Sequence, residues 1–530
     1  MSVSRRRFLQ TTAATMAAVP FSSGMISCQS GANDSKPNIL LIMADDMGYS
    51  DLGSYGSEID TPNINRLADE GLRFTQFYNA ARCCPTRASL LTGLYPHQAG
   101  MGGMVVGNPE SREPGPYQGY LNDNCLTIAE VLKNAGYTTL MSGKWHVGEF
   151  RPVWPVDRGF DRYYGLISGA ANYFNVTRAK NPNARRVMAQ DDQALPLPTE
   201  NFYMTDAITD HAVNMLQEYT DGPFFHYVAY TAPHWPLHAL PEDIAKYKGK
   251  YKQGWDELRK ERYERMVNMG LIDPEWKLSE RDDAALAWED VPDKELMDLK
   301  MAVYAAQIDR MDQGIGKILK TLEDQGRLDN TLVLFLSDNG ACHESGALGR
   351  DFWGNGVEPG GPDSYQSYGR SWSNAGNTPF RLHKHWTHEG GIATPLIVRW
   401  PQTIKSGGEL THQPGHIIDF MATFVDIAGA VYPTEYNGNA ILPQQGKSLL
   451  PIFQGETREP HDYLFWEHER NRAVRHGNWK LVARDSGEWE LYDLEADRSE
   501  TTNLATKHPE LVNQLESKWM EWANTIGVRM

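Results

Sequence analysis

Short apolar runs that stop abruptly in reactive polar residues constrain this chain more than any other feature. Asn38-Ile39-Leu40-Leu41-Ile42-Met43-Ala44 runs straight into Asp45-Asp46-Met47-Gly48. An unbroken apolar run of this length, too short for a buried helix, reads as a strand covered on both faces, as in a parallel sheet. The pattern recurs. Tyr137-Thr138-Thr139-Leu140-Met141 leads to Gly143-Lys144-Trp145-His146, and Phe224-Phe225-His226-Tyr227-Val228-Ala229-Tyr230 leads to Thr231-Ala232-Pro233-His234. Thr331 to Leu336 ends in Ser337-Asp338-Asn339-Gly340, and Ala393 to Trp400 holds a further strand. Helical patterns lie between: Thr61 to Gly71, Leu126 to Ala135, Leu296 to Gln325 and His416 to Gly429. Alternation of this kind predicts an α/β fold with a large, mostly parallel sheet flanked by helices. Ligands of such sheets bind beyond the carboxyl ends of the strands. That edge is where Asp45, Asp46, Lys144, His146, His234, Asp338 and Asn339 fall. After about residue 455 the pattern shifts to short strands near 463–466, 472–475, 479–483 and 489–492, followed by a helix over 509–525. This predicts a smaller C-terminal antiparallel sheet plus helix. The expected division is an export signal over 1–35, a catalytic α/β domain over 36–455 and an α+β subdomain over 456–530.

Composition narrows the partners. Hydrophobic residues make up 41% of the 530, enough for a sizeable core. The net charge of −17 argues against nucleic acid or an anionic membrane surface. Any anion-binding pocket must therefore be locally cationic. Five cysteines without regular spacing do not make a disulfide framework. At the N-terminus, Ser4-Arg5-Arg6-Arg7-Phe8-Leu9-Gln10 resembles a twin-arginine export signal of bacterial type. The Ala/Thr-rich run from Thr11 to Phe21 is too short and polar to span a bilayer. Met25-Ile26-Ser27-Cys28 loosely matches a lipoprotein box, which would make Cys28 an acylated anchor; an ordinary cleaved signal is the alternative. The expectation is an exported protein, periplasmic or held at the outer membrane or cell surface, touching membrane only through Cys28.

Asp45, Asp46, Asp338 and Asn339 are hard oxygen donors. Gathered on one edge, they would hold one divalent cation, Ca²⁺ or Mg²⁺. A single Asp after a strand is often only a helix N-cap; two such clusters on one edge favour the metal. The stretch Cys83-Cys84-Pro85-Thr86-Arg87-Ala88-Ser89-Leu90-Leu91-Thr92-Gly93 reads as a buried helical turn or two, with Cys83 and Arg87 near its N-terminal end. Backbone N–H groups there favour anions, and Pro85 suits a first turn. Two buried free cysteines would be the plain alternative.

The same eleven residues resemble the sulfatase signature, Cys-x-Pro-x-Arg followed by Leu-Thr-Gly. Cys84 fills the variable position and Thr86 stands where many members have serine. Gly143-Lys144-Trp145-His146-Val147-Gly148, Ala232-Pro233-His234-Trp235-Pro236, and Lys384 ahead of Glu389-Gly390-Gly391 also match family motifs. So do Glu490-Leu491-Tyr492-Asp493-Leu494 and Asn503-Leu504 near the end. The resemblance runs from Pro37 to about Leu504. It implies an arylsulfatase-like enzyme of the alkaline-phosphatase-like superfamily that hydrolyses sulfate monoesters, aryl sulfates or sulfated carbohydrates. It implies that a maturation enzyme oxidises Cys83 to Cα-formylglycine, whose aldehyde hydrate is the nucleophile. Asp45, Asp46, Cys83, Asp338 and Asn339 would ligate the metal, Ca²⁺ rather than Mg²⁺. Arg87, Lys144 and Lys384 would hold the sulfate oxygens, with Lys144 and His146 contacting sulfate and formylglycine. His234 would protonate the leaving alcohol with help from Lys384, and His146 or a metal-bound aspartate would assist proton removal. Charge supports a metal: three aspartates offset Arg87, Lys144 and Lys384, so only an added divalent ion leaves the pocket attractive to an anion.

Alone, each lysine could be a surface residue and each histidine a structural one. Their order after strand ends favours the site. His238, His343, His383, His385 and His388 lack that support and are expected at a pocket rim or the surface. Trp145, Trp235 and Trp386 could stack on a substrate ring or simply pack. Two other functions stay open: a phosphodiesterase or phosphonate hydrolase of the same superfamily, and a non-catalytic sulfoglycan-binding protein. Residues 101–120, 170–200 and 340–380 are expected to choose the substrate; the long loop 340–379 is of a length usually tied to function.

Overall fold

The computed structural model describes residues 36–181, 186–485 and 487–529. The N-terminal segment expected to direct export, including Arg5, Arg6 and Cys28, lies outside them. Among the described residues no helix is long and apolar enough to cross a membrane.

Eleven strands build the main sheet: β1 (Asn38–Asp45), β2 (Leu72–Tyr78), β3 (Thr138–Gly143), β4 (Arg162–Leu166), β5 (Met188–Gln190), β6 (Gln193–Ala194), β7 (Phe224–Pro233), β8 (Thr331–Ser337), β9 (Ala393–Arg399), β10 (Glu409–Thr411) and β11 (Gly415–His416). The order is β10-β2-β9-β8-β1-β7-β3-β4-β5-β6, with β11 also on β2. The central strands β8, β1, β7, β3 and β4 are mutually parallel. Strand β9 runs against both β8 and β2, so β2 points the same way as β8. The carboxyl ends of β8, β1, β7, β3 and β2 therefore share one edge.

Every residue of β1, β7 and β8 is buried, which is why these strands read as unbroken apolar runs. Alternate side chains serve opposite faces. Leu40, Ile42 and Ala44 join a core with Met301, Ala302 and Ile308 of the long helix Lys294–Asp324. Ile39, Leu41 and Met43 join a second core with Ala88, Leu90 and Leu91 of helix Cys83–Thr92. Each large aliphatic side chain so buried contributes about 1.5–3 kcal/mol.

Strand β2 escapes sequence reading because Arg73 and Gln76 break its apolar run; both sit half-buried while their neighbours are buried. Strands β4 to β6 and helix Met204–Glu218 are likewise additions. The long loop contains one helix, Gly369–Gly376.

A second, four-stranded antiparallel sheet runs Leu464–His468, Asn471–His476, Trp479–Ala483 and Glu490–Asp493 in chain order. Helix Pro509–Ile526 covers one face, packing Leu515, Trp519 and Ala523 on Val474, Leu481 and Leu491. The other face gives Trp466, Ala473, Val482 and Tyr492 to the first core. Buried ion pairs reinforce this junction: Glu389 meets Lys480 at 2.9 Å and Arg498 at 2.9 Å, and Lys480 also meets Glu500 at 2.7 Å.

Candidate active site

Register brings the site together. Ala44 pairs with Ser337, so Asp45 stands beside Asp338. The ladder from β1 to β7 slips after Met43 and sets Asp45 opposite Pro233, next to His234. Gly143 pairs with Ala229, and the N–H of Lys144 donates to the Ala229 carbonyl at 2.8 Å. Gly143 has φ 114°, and a Cβ there would lie 1.9 Å from the Ala229 oxygen. Only glycine lets β3 approach this closely and deliver Lys144.

Helix Cys83–Thr92 begins on the signature cysteine, and all ten of its residues are buried. No side chain caps its first turn, leaving N–H groups there for an anion. Arg87, four residues on, shares the face of Cys83. Lys384 is pinned by its loop: its N–H donates to the Ala341 carbonyl at 3.2 Å, and the N–H of His385 to the Ala81 carbonyl at 2.7 Å. The lysine thus sits between the segment after Asn339 and the segment before Cys83.

The charged groups interlock. Lys144 Nζ lies 2.6 Å from Asp45 Oδ2. Arg87 Nη2 lies 2.8 Å from Asp338 Oδ2 and 3.8 Å from Asp45 Oδ1. Arg87 Nη1 donates to the Lys144 carbonyl at 3.1 Å and to the Tyr227 hydroxyl at 3.3 Å. Lys384 Nζ lies 2.7 Å from Asp46, and His234 Nε2 3.4 Å from Asp46 Oδ2. Asn339 Nδ2 donates to Asp46 Oδ1 at 2.8 Å, and the N–H of Asp46 to Asp338 Oδ1 at 3.1 Å. Cys83 is among the charges acting on Asp45, Asp46 and Asp338. Ligand atoms of Cys83 and His146 lie within 4.8 Å of each other, so all ten expected site residues converge.

Burial raises the Asp45 and Asp338 carboxyls, against the pull of Arg87 and Lys144. Burial acts the same way on Asp46, but His234 and Lys384 outweigh it and hold that carboxyl low. The Cys83 thiol falls well below its usual range, first through its hydrogen bond with Cys84, then through Lys144, His146 and Lys384. Burial, then Lys144, pushes His146 down to about 4. Burial also lowers His234.

The oxygen set fits a hard divalent ion on two observations. Asp45 Oδ1 and Asn339 Oδ1 are buried without a hydrogen-bond partner, where a cation would satisfy both. The donors are three carboxylates and an amide, the chemistry Ca²⁺ and Mg²⁺ prefer.

Some residues differ from expectation. His238, His383 and His388 are fully buried, not at a rim or surface. His238 bonds the Ser364 carbonyl, His383 bonds Ser373 and Asp282, and His388 meets Glu490. Trp145 is core, its Nε1 donating to the Val153 carbonyl. His146 Nε2 lies 3.4 Å from Cys84 Sγ, giving the variable signature position a contact no spacing rule announces. Glu344 was also missed. Its carboxylate takes Arg82 at 2.9 Å and Trp235 Nε1 at 2.8 Å. Against the effect of burial, Lys384 and Arg82 hold it low. Its only sequence signal is membership of the long loop.

Comparison with known proteins agrees with this geometry. Residues 37–430 match the family model described as Sulfatase, and residues 380–525 match that of the N-sulphoglucosamine sulphohydrolase C-terminal region. The chain is 36% identical to an uncharacterized sulfatase of Schizosaccharomyces pombe, over 94% of this chain and 95% of that one. It is 34% identical to an arylsulfatase of Klebsiella aerogenes, over 81% and 94% respectively. The crystal structure of Ps i-CgsB superposes with a TM-score of 0.68 at 27% identity, over 92% and 93% of the two chains.

Proposed function

Since this chain belongs to the sulfatase family and is a sulfuric ester hydrolase, we propose that it cleaves aryl or carbohydrate sulfate monoesters at a formylglycine made from Cys83. The observation that carries the reading is the convergence of Arg87, Lys144, Lys384 and His234 on Asp45, Asp46 and Asp338 around the start of helix Cys83–Thr92. A carbohydrate ester is supported by the structural relative Ps i-CgsB, which has been solved with k-i-k-neocarrahexaose.

Asp45, Asp46, Asp338 and Asn339, with residue 83, would hold the divalent ion, Ca²⁺, which supplies positive charge for the ester oxygens. The formylglycine, installed by a separate maturation enzyme, supplies a hydrated aldehyde as nucleophile. The chain's own residues do the remaining work. Lys144 and Lys384 present ammonium groups to the nonbridging oxygens as charge builds there. Arg87 orients Asp338 through a 2.8 Å contact. His234 Nε2, beside Lys384 and 3.4 Å from Asp46 Oδ2, passes a proton to the leaving alcohol. His146 Nε2, neutral above about pH 4, accepts a proton beside residue 83. The twin-arginine-like segment supports export from the cytoplasm, with Cys28 as the anchor in the lipoprotein reading.

The test compares nitrophenyl sulfate with bis-nitrophenyl phosphate, using the parent and Cys83→Ala. The expected result is sulfate release by the parent and none by the variant. Retained turnover in Cys83→Ala would refute the proposal, and preference for the phosphodiester would hand the function to the alternative reading.

A further inference from the structure

Two of the segments expected to choose the substrate meet on one wall beside the site. Trp235 follows His234 directly, and its ring stacks on Phe352 with centroids 4.8 Å apart and planes at 24°. Lys180 Nζ stands 4.2 Å from the Phe352 ring centre and 5.2 Å from that of Trp235. Lys180 is exposed and makes no ion pair among the described residues. Trp235 and Phe352 are only half-buried. The aromatic pair is fixed from behind: Glu344 accepts from Trp235 Nε1 at 2.8 Å and holds Arg82 at 2.9 Å. Arg82 immediately precedes Cys83. The wall is therefore tied to the reacting centre at both ends, through His234 and through Cys83.

We propose that Lys180, Trp235 and Phe352 form a specificity subsite for the alcohol part of the ester, selecting a saccharide that carries a second anionic group. This rests on the sulfate-ester reading and names its substrate class. The stacked rings offer an apolar platform for a sugar face. The ammonium above them offers the charge for a further sulfate or carboxylate on that sugar. Attraction between the ammonium and the ring faces keeps Lys180 over the platform when no ligand is there. Glu344 is a positioning residue: its carboxylate fixes the indole and leaves Lys180 free for the substrate. A chain of net charge −17 repels polyanions at long range, so recognition of one must come from a local cation such as this.

The test separates binding from turnover by working on Cys83→Ala. Calorimetry compares a disulfated disaccharide with the same disaccharide carrying one sulfate, on Cys83→Ala and on Cys83→Ala/Lys180→Ala. The expected result is a loss of roughly two- to fivefold in affinity for the disulfated ligand on removing Lys180, as for an exposed charge pair. The monosulfated ligand should lose much less, and Lys180→Arg should restore the difference. Equal losses for both ligands, or none for either, overturn the proposal. Nitrophenyl sulfate turnover by the parent reports separately on the sulfatase reading, so the two can fail independently.

Discussion

Replacing Lys144 by methionine separates what this residue does for the fold from what it does for the reaction. Its Nζ lies 2.6 Å from Asp45 Oδ2, and neither side chain is exposed. Asp45 Oδ1 has no hydrogen bond, and its next cation, Arg87, is 3.8 Å away. Methionine keeps the length and removes the charge, so the carboxylate loses its one close cation. Breaking such a buried pair costs about 3–5 kcal/mol. The low end applies here, because Arg87 remains and Asp45, its carboxyl already raised by burial, can take up a proton. A divalent ion at Asp45 replaces the missing charge, so Ca²⁺ should recover most of that loss by mass action. It cannot recover the ammonium aimed at the ester, whose removal should lower kcat about 10²–10³-fold. Thermal unfolding in EDTA and across a Ca²⁺ series, read beside kcat for nitrophenyl sulfate, gives both quantities. The reasoning is refuted if parent and variant melt together in EDTA, or if Ca²⁺ restores kcat.

Chelation of the parent should lower both activity and melting temperature, and Asn339→Ala should raise the Ca²⁺ concentration needed to reverse it; unchanged titrations would remove Asn339 from the ligand set. Gly143→Ala should sharply reduce folded yield, since its Cβ would fall 1.9 Å from a backbone oxygen; normal yield and activity would contradict the close approach. Burial holds His226 down to about 3, whereas the unfolded side chain titrates near about 6.5. Unfolding therefore takes up a proton between those values, and stability should fall as pH is lowered through that window. His226→Gln should flatten this part of the melting-temperature profile, and an unaltered slope would count against it. Glu344→Leu should raise KM for a saccharide ester more than it changes kcat, by releasing Trp235; a pure kcat effect would point to a role in the chemistry.

The site was legible because each of its residues follows a cue that survives in one dimension. Asp45 and Asp338 end runs buried on both faces, and parallel register alone then makes them neighbours. Lys144 and His146 follow a glycine that ends a strand. What sequence reading missed lacks such cues. Strand β2 is interrupted in sequence by the half-buried Arg73 and Gln76, and its burial depends on β9, more than 300 residues away. Glu344 acts only because the long loop folds back onto Trp235. The buried histidines His238, His383 and His388 look like surface residues until their partners Ser364, Asp282 and Glu490 are in place.

Cys83 is 2% exposed, and the loop bearing Lys384 above it runs into Glu389, which is anchored to Lys480 and Arg498. A ribosome releases those anchors only after nearly all the polypeptide has been made. An enzyme that alters the Cys83 thiol would therefore act during synthesis or on an unpacked precursor, before Glu389 and the loop ahead of it are anchored. On the formylglycine reading, synthesis rate and the supply of that enzyme would then set the fraction of working molecules.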